Sequence, residues 1–216
     1  MCEAYLMKNV LLIGDSLRLG YQARVAELLG DGVRVYAPEE NCRFTKYALW
    51  GMYSWMECWG QPHIDVIHWN TGVWDLHRCT ADGEIFTPLE EYLTYQRRLA
   101  IQMESYAPRN RLIWATITPG NRYLDEQKAL NSLINTDATA PKVYLCDTME
   151  RWNADVMRYN TATTAMMQEM GIRVNDLCGL MMQDLDRYIC DDGIHASAEG
   201  YELLARAVAS EIQALL

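Results

Sequence analysis

The stretch Asn9-Val10-Leu11-Leu12-Ile13-Gly14-Asp15-Ser16-Leu17 changes its period in the middle. Four consecutive apolar residues, 10 to 13, read as a strand buried on both faces, as in parallel sheets, where the polar/apolar alternation is lost. Directly after them Leu17, Tyr21, Val25 and Leu28 recur at helical spacing, and Gly30 and Gly32 stop that helix near residue 29. A strand that passes through Gly-Asp-Ser into a helix is the opening of a βα unit.

The rest of the chain repeats the alternation. Val33-Arg34-Val35-Tyr36-Ala37 reads as a strand, residues 47 to 59 as a Trp- and Tyr-rich helix, and Asp65-Val66-Ile67-His68-Trp69 as a third strand. Thr87-Pro88-Leu89-Glu90 carries a capping Thr, Pro at the first helical position and Glu three residues after the cap, which predicts a helix of about twenty residues ending before Pro108. Residues 111 to 116 form the next strand, and Thr118-Pro119-Gly120 its turn. A long helix carrying Trp152, Val156, Tyr159, Thr163, Met166 and Met170 ends at Gly171, and residues 172 to 176 make the fifth strand. Ser197 caps a closing helix with Tyr201, Leu204, Val208, Ile212 and Leu215 on one stripe. Strands separated by helices require crossover connections, so the expected fold is α/β with a parallel five-stranded sheet covered on both faces. Residues 121 to 142 lose the pattern and read as an insertion or lid within a single domain spanning residues 1 to 216.

Composition narrows the function. Nineteen Lys and Arg against 29 Asp and Glu give a formal charge of −10, which repels nucleic-acid backbones and anionic membranes. No apolar window is long enough to span a bilayer, and the amino terminus shows no secretion signal. Seven scattered cysteines without a CxxC fit reduced thiols in a cytoplasmic setting. No metal is expected, since His63, His68 and His77 lack ligand spacing. No cofactor is expected either, since Gly14-Asp15-Ser16 lacks the further glycines and lysine of a phosphate loop.

In an open parallel sheet ligands bind beyond the carboxyl ends of the strands, which selects three segments: Gly14-Asp15-Ser16, Asn70-Thr71-Gly72-Val73-Trp74-Asp75 and Asp192-Gly193-Ile194-His195. Ser16 opens the first helix, where its hydroxyl can attack and a backbone N–H can face an oxyanion; the competing reading of Asp15 and Ser16 is a helix cap. Asp192 three residues before His195 can orient the imidazole so that its far nitrogen takes a serine proton; the competing reading is a solvated turn.

Taken together, these blocks resemble the SGNH (GDSL-type) hydrolase superfamily over nearly the whole chain, with Tyr159-Asn160 and Val174-Asn175-Asp176-Leu177 adding to the likeness. The resemblance implies a flavodoxin-like three-layer fold and a serine esterase in which Ser16 is the nucleophile, His195 the base and Asp192 the orienting acid, with Asp191 the weaker carboxylate. It implies no cofactor and a small-molecule acyl ester as substrate, an acetylated sugar among the candidates. Two blocks depart from the family. The third usually reads Gly-x-Asn-Asp, whereas Gly72-Val73-Trp74-Asp75 has tryptophan there; Asn70-Thr71-Gly72-Val73-Trp74 instead resembles a plant and fungal polysaccharide-acetylation branch, which implies Asn70 as the side-chain oxyanion donor. The second block usually offers a glycine N–H, but Asn41-Cys42-Arg43-Phe44-Thr45 has none, leaving a backbone donor at Arg43 or Phe44, or Arg43 as a contact for an anionic substrate group. Asp15 belongs to the same pocket, and Trp74 is either its wall or packing. An acyltransferase with the same triad and a catalytically silent binding protein are the rival readings.

Overall fold

The computed structural model describes residues 7–78, 80, 82–121 and 148–216. Within them five parallel strands form one sheet: β1 (Lys8–Gly14), β2 (Val33–Tyr36), β3 (Val66–Asn70), β4 (Leu112–Ala115) and β5 (Arg173–Asn175), in the order β2-β1-β3-β4-β5. The chain moves one way from β1 to β2 and the other way from β1's far side through β3 to β5. That reversal places a crevice at the carboxyl ends of β1 and β3, the switch point where doubly wound sheets bind ligands. Gly14 and Asn70 pair across it in register.

Residues 10 to 13 of β1 are fully buried because both faces of the sheet are covered. Val10 and Leu12 pack on the side of α1 (Ser16–Leu29) and α8 (Ala198–Gln213), with Tyr21, Val25, Leu204 and Val208. Leu11 and Ile13 pack on the other side among Met52 and Met56 of α2 (Thr45–Cys58) and Leu99 and Met103 of α4 (Leu89–Met103). Fully burying one such side chain stabilises the fold by about 1.5–3 kcal/mol. α5 (Met149–Glu169) uses Trp152, Val156, Tyr159 and Thr163 as its buried stripe, and Gly171 follows at φ 71°.

Three expectations change. The helix before Pro108 is the 15-residue α4, not one of about twenty, because the chain turns after Met103. Thr87 does not cap it: Pro88 stands at the cap without a side-chain bond, and Thr87 is tied through its backbone instead, its N–H donating to Asp75 O and its carbonyl accepting from the Tyr159 hydroxyl. Three short helices were not expected: α3 (Val73–Leu76), α6 (Leu177–Met181) and α7 (Leu185–Tyr188). Apart from Asn121, the stretch read as an insertion or lid lies outside the described residues. Among the described residues no helix is long and apolar enough to cross a membrane.

Candidate active site

Ser16 is the first residue of α1, and the cap is Asp15, whose Oδ1 accepts from the Leu17 N–H at 3.0 Å. The carboxylate therefore does the capping and leaves the serine hydroxyl free to face the crevice. His195 Nε2 lies 2.8 Å from Ser16 Oγ, and His195 Nδ1 lies 2.5 Å from Asp192 Oδ2. The other oxygen of Asp192 accepts from the backbone N–H groups of Ile194 and His195 at 2.9 and 2.8 Å, so the tight turn aims its own histidine. The Asp192 bond raises the His195 pKa, which partial burial opposes. For Asp192, burial pushes upward, but the bonds from the His195 ring and the two backbone N–H groups hold the carboxyl well below its ordinary range. The pair is thus an ionised carboxylate that fixes the imidazole tautomer, with Nδ1–H toward Asp192 and a lone pair toward the serine.

Asn70 closes β3 next to Gly14. Its Oδ1 accepts from the Tyr21 hydroxyl at 2.5 Å, and its Nδ2 donates to Asp15 Oδ1 at 3.1 Å. An ionised carboxylate can only accept, so this pairing fixes which end of the amide faces Asp15. The second N–H on Nδ2 has no protein acceptor among the described residues. The close approach depends on Gly14, where a Cβ would sit 2.3 Å from Asn70 Oδ1. Asp15 is fully buried, and its Oδ1 is bonded to Asn70 and to the start of α1.

Burial drives the Asp15 pKa up to about 6 against the hydrogen bonds from Leu17 and Asn70, and its Oδ2 has no partner among the described residues. A carboxyl with a raised folded-state pKa contributes stability below its unfolded pKa of 3.8 and loses it as pH climbs through about 6. Asp15→Asn removes that titration. Relative to the parent, the variant is expected to gain about 3 kcal/mol between pH 4 and pH 7. Urea unfolding of both proteins across that range checks it, and a pH-independent difference would refute it.

The loop after β2 is held by a residue that the sequence reading passed over. Arg18 is fully buried on α1, and its guanidinium donates to Gly14 O at 3.3 Å, Pro38 O at 2.7 Å and Glu40 O at 2.5 Å. Cys42 N–H adds a bond to Gly14 O at 3.1 Å. Arg43 then stands at φ 51°, the left-handed region that glycine occupies at least cost, so the turn survives without its usual residue. Its N–H is committed to Asn41 Oδ1 at 2.7 Å, and its guanidinium lies 5.0 Å from the Tyr47 ring centroid. Of the two backbone donors considered, Phe44 is the one left without such a bond among the described residues.

The loop after β3 turns at Gly72, whose φ of 148° and contact with Ile117 leave no room for a side chain. Asp75 is buried and accepts from the Thr45 N–H at 2.9 Å and the Thr45 hydroxyl at 2.8 Å, which ties this loop to the start of α2. Trp74 is half-buried and stacks on His77, with ring centroids 5.7 Å apart and planes 12° off parallel. Burial, aided by the charge of nearby His195, lowers the His77 pKa and keeps that ring neutral. On the far side, two asparagines one α5 face apart grip the chain after β4: Asn160 bonds Ile117 N and O at 2.8 Å, and Asn153 bonds Gly120 N at 2.7 Å and O at 3.0 Å. Asn121 N–H then donates to Gly193 O at 3.0 Å, so this ladder reaches the turn that carries Asp192 and His195. The Tyr159-Asn160 likeness had pointed to Asn160; nothing in the pattern distinguishes Asn153 from a solvated helix residue. Among the described residues no group of three His, Cys, Asp or Glu could hold a metal ion.

Relatives agree with this architecture. No protein-family model matches the chain. A GDSL esterase/lipase of Arabidopsis thaliana is 28% identical over 120 residues, which make up 55% of this chain and 42% of that protein, so the chain matches less than half of that relative's length. An acetylxylan esterase from Geobacillus stearothermophilus, solved as a catalytic mutant, superimposes with a TM-score of 0.69 at 17% identity, over 95% of this chain and 94% of that one. A lipase/acylhydrolase from Enterococcus faecalis gives 0.64 at 16% identity over 96% of each chain, and a GDSL-like lipase from Bacteroides thetaiotaomicron 0.63 at 11% identity over 97% and 90%. The sheet order places Ser16 at the switch point of a three-layer α/β fold. The chain is thus similar in part of its sequence to a GDSL esterase/lipase, and it shares its fold with GDSL-like lipases, acylhydrolases and an acetylxylan esterase.

Proposed function

We propose that the chain is a serine carboxylic ester hydrolase that removes a small acyl group, acetyl foremost, through an acyl-enzyme on Ser16. The observation that carries this reading is the unbroken relay from Asp192 through His195 to Ser16, with bonds of 2.5 and 2.8 Å. His195 Nε2 takes the serine proton as Oγ attacks the ester carbonyl, and the resulting oxyanion faces Asn70 Nδ2 and backbone N–H groups at the start of α1. The same imidazolium then protonates the leaving alkoxide. Water, deprotonated by His195, attacks the acyl-serine and releases the acid and free Ser16. Asp192 stabilises the imidazolium and holds its orientation throughout.

The acetyl assignment is supported by the acetylxylan esterase among the structural neighbours. An acetylated sugar is the alcohol that fits this reading. The free thiols of Cys42, Cys58, Cys178 and Cys190 support a reducing, cytoplasmic setting.

Hydrolysis of 4-nitrophenyl acetate, butyrate and octanoate by the chain and by Ser16→Ala tests the proposal. Ser16-dependent release that falls steeply from acetate to octanoate is expected. Octanoate as the preferred ester would overturn the acetyl assignment. No release from any of the three, together with resistance to a fluorophosphonate, would overturn the esterase.

A further inference from the structure

Beyond the relay, a group of exposed rings among the described residues lies at the start of α2 and on the segment leading into α4. Trp50 is 71% exposed and Phe86 43%, although rings of this size normally bury most of their surface. They do not stand singly. Phe44, Tyr47, Trp50 and Phe86 line one open groove of about 460 Å³ between α2 and α4, with Lys46 and Glu91 on its rim. Centroid distances of 5.2 Å for Phe44 and Phe86, 6.1 Å for Phe44 and Tyr47, and 5.7 Å for Tyr47 and Trp50 make the rings one continuous surface. Tyr47 is held in place by its hydroxyl, which donates to Glu40 Oε2 at 2.5 Å, while the Trp55 indole donates to Glu40 Oε1 at 3.0 Å.

The groove shares its walls with the loops that border the crevice. Phe44 ends the loop whose Cys42 N–H donates to Gly14 O. From the other side, Phe86 N–H donates to His77 O at 2.9 Å and Thr87 N–H to Asp75 O at 2.9 Å. A molecule lying on these rings therefore touches the same segments that flank Ser16 and Asn70.

The chemistry of the lining selects the occupant. Exposed ring faces present π-density to weakly polar C–H bonds, and the Lys46, Glu91 and Tyr95 side chains supply donors and acceptors around them. Charges balance: Arg43 and Lys46 lie over Tyr47 and Tyr95, and Glu40 and Glu91 stand near them, so neither an anionic nor a cationic group is favoured. An acyl chain would leave that polar rim unpaired and remain half in water. A pyranose ring matches it, with a C–H face for the aromatic surface and an equatorial belt of hydroxyls for the rim. The volume accommodates a short run of sugar rings, being in the lower half of ordinary ligand sites.

We propose that this groove is a binding subsite for a neutral pyranose chain, which presents an O-acetyl group on one of its sugars to Ser16. The inference rests on the esterase reading for its chemistry, but the groove itself binds sugar whether or not Ser16 turns over.

Calorimetric titration of unacetylated xylotetraose into Ser16→Ala protein reads the groove without catalysis. Saturable binding is expected, weakened about tenfold by adding Trp50→Ala or Phe86→Ala, the scale of one lost aromatic contact. Trp50 is largely exposed, so its replacement leaves the core untouched. In proteins with Ser16 intact, the ratio of kcat/KM for acetylated xylotetraose to that for 4-nitrophenyl acetate should fall about tenfold in Trp50→Ala. Absence of binding, binding indifferent to both ring deletions, or an unchanged ratio would each overturn the subsite. So would concentration-dependent self-association that Trp50→Ala abolishes in a protein that ignores the sugar, because the face would then serve a second copy of the chain. If xylotetraose binds through Trp50 while 4-nitrophenyl acetate is not hydrolysed, the subsite stands and the esterase reading fails.

Discussion

Ser16→Ala is expected to lower kcat on 4-nitrophenyl acetate by about five to six orders of magnitude and to leave the fold intact. Both halves follow from the local structure. Asp15, not Ser16, caps α1, and alanine has a high intrinsic helix propensity, so the substitution removes no cap. The partner it strands, His195 Nε2, belongs to a side chain that is 39% exposed and takes water instead, so no buried polar group is orphaned. The melting temperature should stay within a degree or two, because substitutions outside the core and its bonded network rarely move stability by more than about half a kcal/mol. Asp192→Asn is a graded companion. An asparagine oxygen can still accept from the Ile194 and His195 N–H groups and keep the turn, but control of the imidazole tautomer is lost, at a cost of about four orders of magnitude in kcat. The acid limb of kcat/KM should also shift. His195 must be neutral to take the serine proton, and its pKa stands above the ordinary 6.5 chiefly through Asp192, so the limb lies above that value in the parent and moves down in the variant. A Ser16→Ala protein with parental turnover would remove the relay from the mechanism.

The features legible in the sequence are those set by short-range periodicity or by residue type. Val10 to Ile13 lose alternation because both faces are covered, and that alone separates a parallel sheet from an antiparallel one. The Asp192 to His195 spacing is legible because the turn that aims the imidazole is four residues long and self-contained. What escaped notice depends on long-range burial. Arg18 lies one helical turn beyond Gly14 and reads as a solvated charge; only the fold brings Pro38 O, Glu40 O and Gly14 O around it, and those carbonyls are what make a buried guanidinium tolerable. Tyr21 sits on the apolar stripe as expected, but its hydroxyl serves Asn70 across 49 positions of chain. Thr87 shows the opposite failure. Its local pattern promised a cap, but its backbone is held by the tertiary fold, the N–H by Asp75 O and the carbonyl by the Tyr159 hydroxyl, and the helix starts without a side-chain cap. Local rules break where the two crevice loops are tied together, because there tertiary hydrogen bonds of buried groups outweigh a cap worth about 1 kcal/mol.

Asn70→Ala is expected to lower kcat on 4-nitrophenyl acetate by about two to three orders of magnitude with little change in KM. In the proposed mechanism the amide touches the reaction only when charge has moved onto the carbonyl oxygen, so its loss falls on the transition state and not on the bound ester. The substitution also has a structural cost. Tyr21 loses its acceptor and Asp15 one of its donors, both fully buried, which destabilises the protein by about 1–3 kcal/mol. A rate measured on partly unfolded protein would mimic a catalytic effect, so kcat has to be taken well below the midpoint of thermal unfolding. Asn70→Asp separates the two contributions. It preserves shape and gives Tyr21 its acceptor back, yet it replaces the donor with a second carboxyl beside Asp15 and the nascent oxyanion. If Asn70 acts as a donor, turnover in Asn70→Asp should be no better than in Asn70→Ala even where Tyr21 is satisfied. If Asn70 serves only as packing, Asn70→Asp, which is nearly isosteric with the amide, should recover much of the rate lost in Asn70→Ala at the same pH. Recovery of stability without recovery of kcat at pH 7 assigns the residue to the oxyanion hole, whereas parental kcat in Asn70→Ala removes it.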